Sequence, residues 1–267
     1  MPSIGLALGA GGARGFAHIG ILEVLEEHGI HVNVLAGSSM GSLVASLYAG
    51  DYSPDMMEKL AINLKRKHWI DLTMPGMGFV VGEKVRELVK LLTRGKRIEE
   101  LRYPLAIVAT DLNRGERVVF RDGFIYEAVR ASISIPGVFV PYKLGDRLLV
   151  DGGVIDRVPI EVVKEMGADL VIGCDVGPSS NPMPVRTFFD VVTQTIDVME
   201  REIFKYRVFH ADVMIRPDVG QFSSTAFTNI KEIIEAGRIA AQEAIPSIKV
   251  KIDEWRSRDD STSLPPA

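Results

Sequence analysis

Residues 4–50 read IGLALGAGGARGFAHIGILEVLEEHGIHVNVLAGSSMGSLVASLYAG and set the architecture of the chain. Two continuous apolar runs, IGLALG and VNVLAG, each lead into a longer segment in which apolar residues recur at helical spacing. Continuous runs of this kind are typical of strands that are covered on both faces. The stretch therefore predicts a strand–helix–strand–helix opening in which both strands belong to one parallel sheet.

The same alternation continues through the rest of the chain. The further predicted elements are, in order, the strand PLAIVATDL (104–112), a hairpin over 117–124, a helix over 125–132, the strand RLLVDGG (147–153), the helix PIEVVKEMGA (159–168), the strands DLVIGCDV (169–176) and ADVMIRPDV (211–219), and a helical ending over 229–255. We therefore predict an α/β fold, a three-layer α/β/α sandwich with a mostly parallel central sheet.

The chain has 267 residues, of which 46% are hydrophobic, and a formal net charge of −4. This size and composition fit one α/β domain over residues 1–255 better than two small domains. The stretch 53–101 holds two amphipathic patterns joined by a Gly- and Met-rich link, so it is predicted to be a helical cap insertion. Residues 256–267 are polar and aperiodic, which predicts a flexible C-terminal tail.

Composition also argues against several classes of protein. The N-terminus has no basic flank before its apolar residues, and no apolar stretch reaches about 18 residues, so secretion and membrane spanning are not expected. A cytoplasmic location follows, and nucleic acid is not an expected partner because a surplus of Lys and Arg is lacking. The single cysteine, Cys174, lies in an apolar run, which indicates a buried thiol and no disulfide framework.

A G-x-S-x-G sequence, Gly37-Ser38-Ser39-Met40-Gly41, stands between the second predicted strand and the helix after it. A nucleophile elbow requires this context, because a sharp strand-to-helix turn exposes the serine hydroxyl and its neighbours must lack bulk. Gly37 and Gly41 would supply that space around Ser39. The alternative is an ordinary helix start at which Ser38 or Ser39 caps the helix.

A glycine-rich loop, Gly9-Ala10-Gly11-Gly12-Ala13-Arg14-Gly15, follows the first strand and opens the first helix. Such a loop presents backbone N–H groups beside the positive end of a helix. A dinucleotide site needs Gly or Ala where Arg14 stands, and the second strand does not end in an acidic residue. The remaining interpretation is an oxyanion hole for a carbonyl attacked by Ser39, with Arg14 as a structural support of the loop.

A base for Ser39 has two candidates. Asp151, in the Asp-Gly-Gly that ends the strand RLLV, is expected at the carboxyl edge of the parallel sheet beside Ser39, although Asp-Gly alone is usually a turn. His210 is the one histidine that follows Asp151 in the Ser, Asp, His order of α/β-hydrolases, but it precedes a strand. A core or surface histidine is the simpler interpretation of His210.

The glycine loop after the first strand, G-x-S-x-G after the second and Asp-Gly-Gly at a later strand end together resemble the patatin-like phospholipase family, over roughly residues 4–237. The resemblance is closest to small, single-domain bacterial members. It implies a Ser-Asp dyad without histidine, carried here by Ser39 and Asp151. It also implies an oxyanion hole, formed by the residues Gly11, Gly12, Ala13, Arg14 and Gly15.

One departure from the family pattern lies just after the Asp-Gly-Gly. Similar members often have Asn before the Val-Pro, whereas this chain has Asp156 and Arg157. The expected consequence concerns substrate preference more than mechanism.

The reaction that follows is hydrolysis of acyl esters of lipid-like substrates through an acyl-enzyme, which needs no metal or cofactor. Acyl-chain binding is predicted for a flexible apolar group in the cap, namely Met74, Met77, Phe79 and Val80, with ordinary packing as the alternative. The basic run 65–69 predicts reversible contact with an anionic membrane surface, unless it is simply a solvated helix face.

Other functions fit the same residues. An acyl thioesterase or a general carboxylesterase would need the same nucleophile, base and oxyanion donors and would differ only in the leaving group or in the acyl chain. A non-catalytic regulator that binds acyl groups would not need an intact Ser39 and Asp151, and both are present. The sequence therefore favours a lipid acyl hydrolase.

Overall fold

A computed structural model describes residues 1–64, 69–74, 76–177, 185, 187–206, 211–225 and 227–262. Within this part of the chain, eight strands form one sheet in the order β5-β6-β3-β2-β1-β7-β8, and β4 also pairs with β3. The strands are β1 (Ile4–Leu8), β2 (Val34–Ser38), β3 (Leu105–Asp111), β4 (Glu116–Phe120), β5 (Tyr142–Leu144), β6 (Arg147–Asp151), β7 (Leu170–Cys174) and β8 (Val213–Ile215). The predicted α/β fold is confirmed.

Helices cover both faces of the sheet. They are α1 (Ala17–Glu27), α2 (Met40–Ala49), α3 (Pro54–Asn63), α4 (Glu83–Leu92), α5 (Ile125–Ser132), α6 (Ile160–Glu165), α7 (Phe188–Tyr206) and α8 (Ile230–Thr262). Side chains alternate between the faces along each strand, so Leu6 and Leu8 of β1 pack in the core with α1, α2 and α8. Ala7 points the other way and packs in a second core with α6.

The centre of the sheet is parallel and one side is antiparallel. The pairs β1–β2, β1–β7, β2–β3 and β7–β8 are parallel. By contrast, β4 and β6 both run antiparallel to β3, and β5 runs antiparallel to β6. Every residue of β1, β2, β3 and β7 is buried, which explains their continuous apolar sequences. Cys174 is buried in β7, as predicted.

Asp151 lies beside Ser39 as expected, but its strand β6 runs in the opposite direction from the one assumed. The sequence-based placement assumed a parallel strand, whereas β6 is antiparallel to β3, with Asp151 opposite Ala109. Both β2 and β4 pair with Val108, so they lie on opposite edges of β3. Both β4 and β6 pair with Ala109, so β6 shares the edge of β2. The end of β2, where Ser38 pairs with Val108, therefore meets the end of β6 at the next position of β3.

The stretch 53–101 holds α3 and α4, so it contains the two helices that its pattern predicts. Ser53 caps α3 by accepting a hydrogen bond from Met56 N–H, and Pro54 takes the first helical position. Helix α3 packs against α1 and α8, while α4 packs against α5. The basic run 65–68 lies outside the described residues.

Helix α8 continues past Trp255 as far as Thr262, into the segment for which the sequence predicts a flexible tail. Contacts one turn back accompany this extension, because Arg256 pairs with Asp253 and Ser257 Oγ donates to Asp253 O. Residues 263–267 lie outside the described part of the chain.

Helix α7 is an element that the sequence analysis does not predict. Its residues, FFDVVTQTIDVMEREIFKY, have helical apolar spacing, but they follow a Pro-rich stretch and interrupt the expected strand alternation. The helix packs on the turn Gly152–Val154, immediately after Asp151.

The strand before Ser39, β2, is fully buried and lies between β1 and β3, so its packing contributes to the stability of the domain. Leu35 is fully buried in the main core, so Leu35→Ala is expected to lower the free energy of unfolding by about 2–5 kcal/mol. The control Leu91→Ala changes a side chain that is 75% exposed, so it should change the free energy of unfolding by about 0.5 kcal/mol or less. Urea unfolding followed by circular dichroism measures both, and equal effects would contradict the assignment of Leu35 to the core.

Candidate active site

Ser39 occupies a strained turn between β2 and α2. Its φ of 54° and ψ of −126° lie where side-chain-bearing residues are rarely found. The turn is tight on both sides, since a Cβ at Gly41 would lie 2.1 Å from Leu8 O and one at Gly37 would lie 2.5 Å from Gly41 O. These contacts explain why both flanking positions are glycine, and they give Ser39 the geometry that an elbow requires.

Neighbouring serines hold this turn in place. Ser39 N–H donates to Ser132 Oγ over 2.9 Å, and Ser132 Oγ donates to Val108 O over 2.6 Å. Ser42 Oγ donates to Ser39 O over 2.7 Å. The Ser39 side chain makes no capping hydrogen bond to α2, so the helix-cap interpretation of this residue does not hold. Its hydroxyl is left for another partner.

That partner is Asp151. Ser39 Oγ donates to Asp151 Oδ2 over 2.5 Å, and Asp151 Oδ1 accepts from Gly153 N–H over 2.8 Å. Ser39 is 4% exposed and Asp151 is 5% exposed. The backbone of Asp151 is fixed as well, because its N–H donates to Ser134 O and its carbonyl accepts from Thr110 Oγ1. A hydroxyl bonded to a buried carboxylate can act as a nucleophile with the carboxylate as general base.

Burial raises the pKa of Asp151 from its ordinary value to about 7. The hydrogen bonds from Ser39 and from Gly153 N–H act in the opposite direction and lower it. Below about pH 7 the carboxyl is protonated and cannot accept the serine proton, whereas above it the carboxylate is ionised. A pKa in this range suits proton transfer near neutral pH better than the ordinary aspartate value of about 3.9.

The glycine loop lies against the elbow. The strands before them are paired, with Leu8 opposite Gly37, and Gly41 packs against Leu8 and Gly9. Ala13 N–H donates to Ser224 O and Arg14 N–H to Gly11 O, so these two amides already have acceptors.

In the described part of the chain, the N–H groups of Gly11 and Gly12 have no acceptor. These two amides are therefore the donors of the predicted oxyanion set that are left to bind a ligand. The other three members of that set, Ala13, Arg14 and Gly15, lie in the short 3-10 helix Gly12–Phe16.

The buried side chains of Arg14 and His18 hold this loop in place through hydrogen bonds. Arg14 Nε donates to Gly11 O over 3.4 Å, and its second terminal nitrogen pairs with Asp197 Oδ2 at 2.7 Å. Both contacts fit the predicted role of Arg14 as a structural support of the loop. His18 Nε2 donates to Gly9 O over 2.8 Å, and burial lowers the pKa of this histidine to about 4, so it is neutral. His18 supports the loop rather than the serine.

The other histidines do not bond to Ser39 within the described residues. His28 Nδ1 contacts Val24 O at the end of α1, and His31 is exposed. His68 and the alternative base His210 lie outside the described part of the chain. The one side-chain partner that the structure gives Ser39 Oγ is therefore a carboxylate.

Asp156 and Arg157, the residues that replace the expected Asn before Val-Pro, both form ion pairs in the structure. Asp156 pairs with Arg117 of β4 at 2.8 Å. Arg157 is buried and pairs with Asp175 at 3.1 Å, and its Nε lies 3.8 Å from a carboxylate oxygen of Glu200. The two residues therefore turn to different partners, and Arg157 connects the end of β7 to α7.

Glu200 and Asp197, both on α7, are site residues that the sequence analysis missed. A Cβ at Gly153 would lie 2.9 Å from Glu200 Oε1 and 3.1 Å from Asp151 Oδ1, so both carboxyl groups border the space beside Gly153. Burial raises the pKa of Glu200 to about 8, the positive charge of Arg157 opposes this shift, and the negative charge of Asp151 adds to it. The only sequence signal was the spacing of two acidic residues three apart in an amphipathic pattern.

The four predicted acyl-binding residues lie in different surroundings. Met74 is 86% exposed and Met77 is 64% exposed. Val80 is buried in the main core, and its backbone pairs with Phe139. The Phe79 ring packs on Phe188 of α7, with the ring centroids 5.8 Å apart. Core packing accounts for Val80, and the two methionines do not line a buried groove.

A family model, patatin-like phospholipase, matches residues 6–164 of this chain. An uncharacterized NTE family protein of Mycobacterium tuberculosis is 36% identical over 195 residues, which cover 68% of this chain and 53% of that protein. Lysophospholipase NTE1 of Debaryomyces hansenii is 31% identical over 190 residues, which cover 69% of this chain and 12% of that protein. The chain therefore spans about half the length of the mycobacterial relative and a small part of the yeast one.

Among solved structures, VipD of Legionella pneumophila superimposes with a TM-score of 0.65 and 14% identity, over 91% of this chain and 66% of that chain. At this identity the similarity concerns the fold alone.

The titration of Asp151 predicts how the reactivity of Ser39 depends on pH. Labelling of Ser39 by a fluorophosphonate probe should rise with pH and reach half of its maximum near pH 7, because the ionised carboxylate must accept the serine proton. Stopped-flow fluorescence with the purified protein measures this rate. A midpoint near pH 4 would show that burial does not raise the pKa of Asp151.

The titration of Glu200 predicts that the rate of Ser39 labelling changes a second time, at higher pH. Ionisation of Glu200 near pH 8 places a negative charge beside the site, where it opposes the negative charge that develops on the attacked group, so labelling should fall above this pH. Glu200→Gln cannot ionise and should give a plateau instead of a fall. The same alkaline fall in both proteins would exclude Glu200 as its cause.

Proposed function

Because the chain belongs to the patatin-like phospholipase family, we propose that it is a serine acyl hydrolase that cleaves carboxylic esters of lipid substrates with Ser39 and Asp151. The observation that carries the proposal is the 2.5 Å hydrogen bond from the strained, buried Ser39 hydroxyl to the Asp151 carboxylate. The name of the yeast relative, a lysophospholipase, supports a monoacyl phospholipid as the substrate class.

In the first half of the reaction, Ser39 Oγ attacks the ester carbonyl while its proton passes to Asp151 Oδ2. The proton moves along a hydrogen bond that is already formed, so the base needs no reorientation. Gly153 N–H keeps its bond to Asp151 Oδ1 and holds the carboxyl plane in place during the transfer. The products are a tetrahedral intermediate on Ser39 and a protonated Asp151.

The negative oxygen of this intermediate needs hydrogen-bond donors. The amides of Gly11 and Gly12 supply them in this proposal, because the amides of Ala13 and Arg14 already donate to Ser224 O and Gly11 O. Donors fixed in place before the reaction stabilise developing charge without reorganisation, and losing one such donor typically costs about 2.7–4 kcal/mol of activation free energy. Arg14 keeps the loop in position by its bonds to Gly11 O and Asp197.

In the second half, Asp151 returns its proton to the leaving alcohol, and the acyl group stays on Ser39. Water then attacks the acyl-enzyme while Asp151 takes a proton from the water. Asp151 passes this proton to Ser39 Oγ as the fatty acid leaves. One carboxyl group thus acts as base and acid twice over, since the proton that Ser39 recovers is the one that Asp151 took from water, and a pKa near 7 suits this cycle.

Lipid substrates are met at surfaces, so we also propose peripheral contact with membranes on the cytoplasmic side. No helix in the described residues has the length and apolarity needed to cross a bilayer. Residues 65–68 of the basic run predicted to touch the membrane lie outside the described residues, and the ring of its last residue, Trp69, packs on Phe227 with centroids 4.4 Å apart. Membrane contact through this run therefore stays a prediction.

Parallel assays of wild type, Ser39→Ala and Asp151→Asn test the function. Ser39→Ala should reduce hydrolysis of lysophospholipid to background, and Asp151→Asn should lower kcat by about 10²–10⁴-fold because the general base is lost. Exposed positions on α8 provide matched controls, Ser257→Ala and Asp253→Asn, which should keep wild-type rates.

The substrates for this assay are phospholipids, lysophospholipids, p-nitrophenyl esters and acyl thioesters. If the protein turned over thioesters alone, the assigned function would change from an ester hydrolase to a thioesterase with the same dyad. Near-normal turnover by a folded Ser39→Ala protein would exclude the dyad.

A further inference from the structure

One face of α7 presents large apolar side chains to solvent. They are Phe188 (59% exposed), Val191 (52%), Val198 (40%), Met199 (59%) and Ile203 (45%). Their spacing of three, four or seven residues, with one adjacent pair, places them along one side of the helix. Thr195 and Glu202 lie on the same side, and the Thr195 hydroxyl already donates to Val191 O.

The opposite face of α7 is charged and is bonded to the rest of the protein. Asp197 pairs with Arg14 of the glycine loop, and Glu200 lies beside Arg157 and Gly153. Helices on the surface of soluble domains usually have the reverse arrangement, with the apolar side on the core and the charged side in water. Because the polarity of α7 is inverted, we expect its exposed apolar face to be covered by a binding partner.

The exposed apolar side chains continue beyond the helix. Phe188 packs on Phe79, which brings the start of α7 to the segment that also exposes Leu72, Met74 and Met77 at 75%, 86% and 64%. Two separate stretches of the chain thus contribute to one apolar surface. Contiguous apolar surfaces of this kind mark sites of interaction with proteins or membranes.

We propose that this surface, the outer face of α7 together with Leu72, Met74 and Met77, is where the protein docks on a lipid surface. The proposal rests on the proposed function, because it identifies where a lipid hydrolase meets its aggregated substrate. Helices with one apolar face bind in the plane of such a surface with that face among the acyl chains. We define these residues as the docking surface.

The position of the docking surface favours lipid over a protein partner. The inner side of the same helix touches the turn that follows Asp151 and the loop whose Gly11 and Gly12 amides have no acceptor among the described residues. Docking through the outer side therefore leaves one helix diameter, about 10 Å, between the site and the phase that contains the acyl substrate. A soluble substrate would not require apolar side chains at this place.

Flotation with phosphatidylcholine vesicles tests the proposal, using proteins that all carry Ser39→Ala so that the lipid stays intact. The parent should float with the vesicles at both low and high salt, because the contact is apolar and is little affected by screening. Val191→Glu/Met199→Glu should lower the vesicle-bound fraction by about tenfold or more, since two apolar side chains are replaced by charges.

A matched control lies on α8. Ile239 and Val250 are each 54% exposed, so Ile239→Glu/Val250→Glu makes the same chemical change on a different helix and should float like the parent. Circular dichroism checks that each protein is folded. If the glutamates unfold α7, Val191→Gln/Met199→Gln makes a milder change and should still reduce flotation.

Equal flotation of the α7 variant and the parent would overturn the proposal, as would a parent that does not float at all. Conversion of a dimer to a monomer by the α7 variant, without an effect on flotation, would assign the surface to a second copy of the chain. Because retention is measured without turnover, the docking surface can be confirmed or rejected independently of the hydrolase activity.

Discussion

The site depends on two strands that meet end to end on one edge of β3. Val108 pairs with the last residue of β2, and Ala109, the next position, pairs with the last residue of β6. Ser39 follows the first of these strand ends and Asp151 forms the second. The two residues are 112 positions apart in the sequence, yet this register brings their side chains into hydrogen-bonding contact. A shift of either strand by one residue would turn its side chains to the other face and separate the pair.

Burial gives the carboxyl group in this contact the pKa that our proposed mechanism requires. An aspartate in water is a weak base toward a hydroxyl, but the pKa of Asp151 is raised because its charge is poorly solvated. Buried charges are usually paired, and the surrounding arginines follow this rule, with Arg14 paired to Asp197 of α7 and Arg157 paired to Asp175 and close to Glu200 of α7. The network fixes α7 beside the site by its polar side, and this arrangement leaves the apolar side of the helix outermost. The polar contacts that hold α7 beside the site therefore also leave exposed the surface that we assign to lipid docking.

Much of this architecture could be predicted from the sequence. The bounds of α5 and the positions of β1 and β2 follow from apolar periodicity and flanking glycines, and the elbow at Ser39 follows from its place between a strand and a helix. Strand direction could not be predicted, because the apolar run of β6 fits a parallel or an antiparallel neighbour equally well. Helix α7 was missed because, despite its helical apolar spacing, it follows a Pro-rich stretch and interrupts the expected alternation of strands. The roles of Arg157 and Glu200 depend on contacts across the fold, which spacing along the chain does not encode.

The most direct test of the account is the titration of the Asp151 carboxyl itself, followed by carbon NMR of aspartate-labelled protein with Asp151→Asn for assignment. The account predicts a midpoint near pH 7, because burial disfavours the charged form. It also predicts a higher midpoint in Ser39→Ala, since the hydrogen bond from Ser39 lowers the pKa. A midpoint near the ordinary aspartate value of about 3.9, unchanged by Ser39→Ala, would contradict the coupling of these two residues.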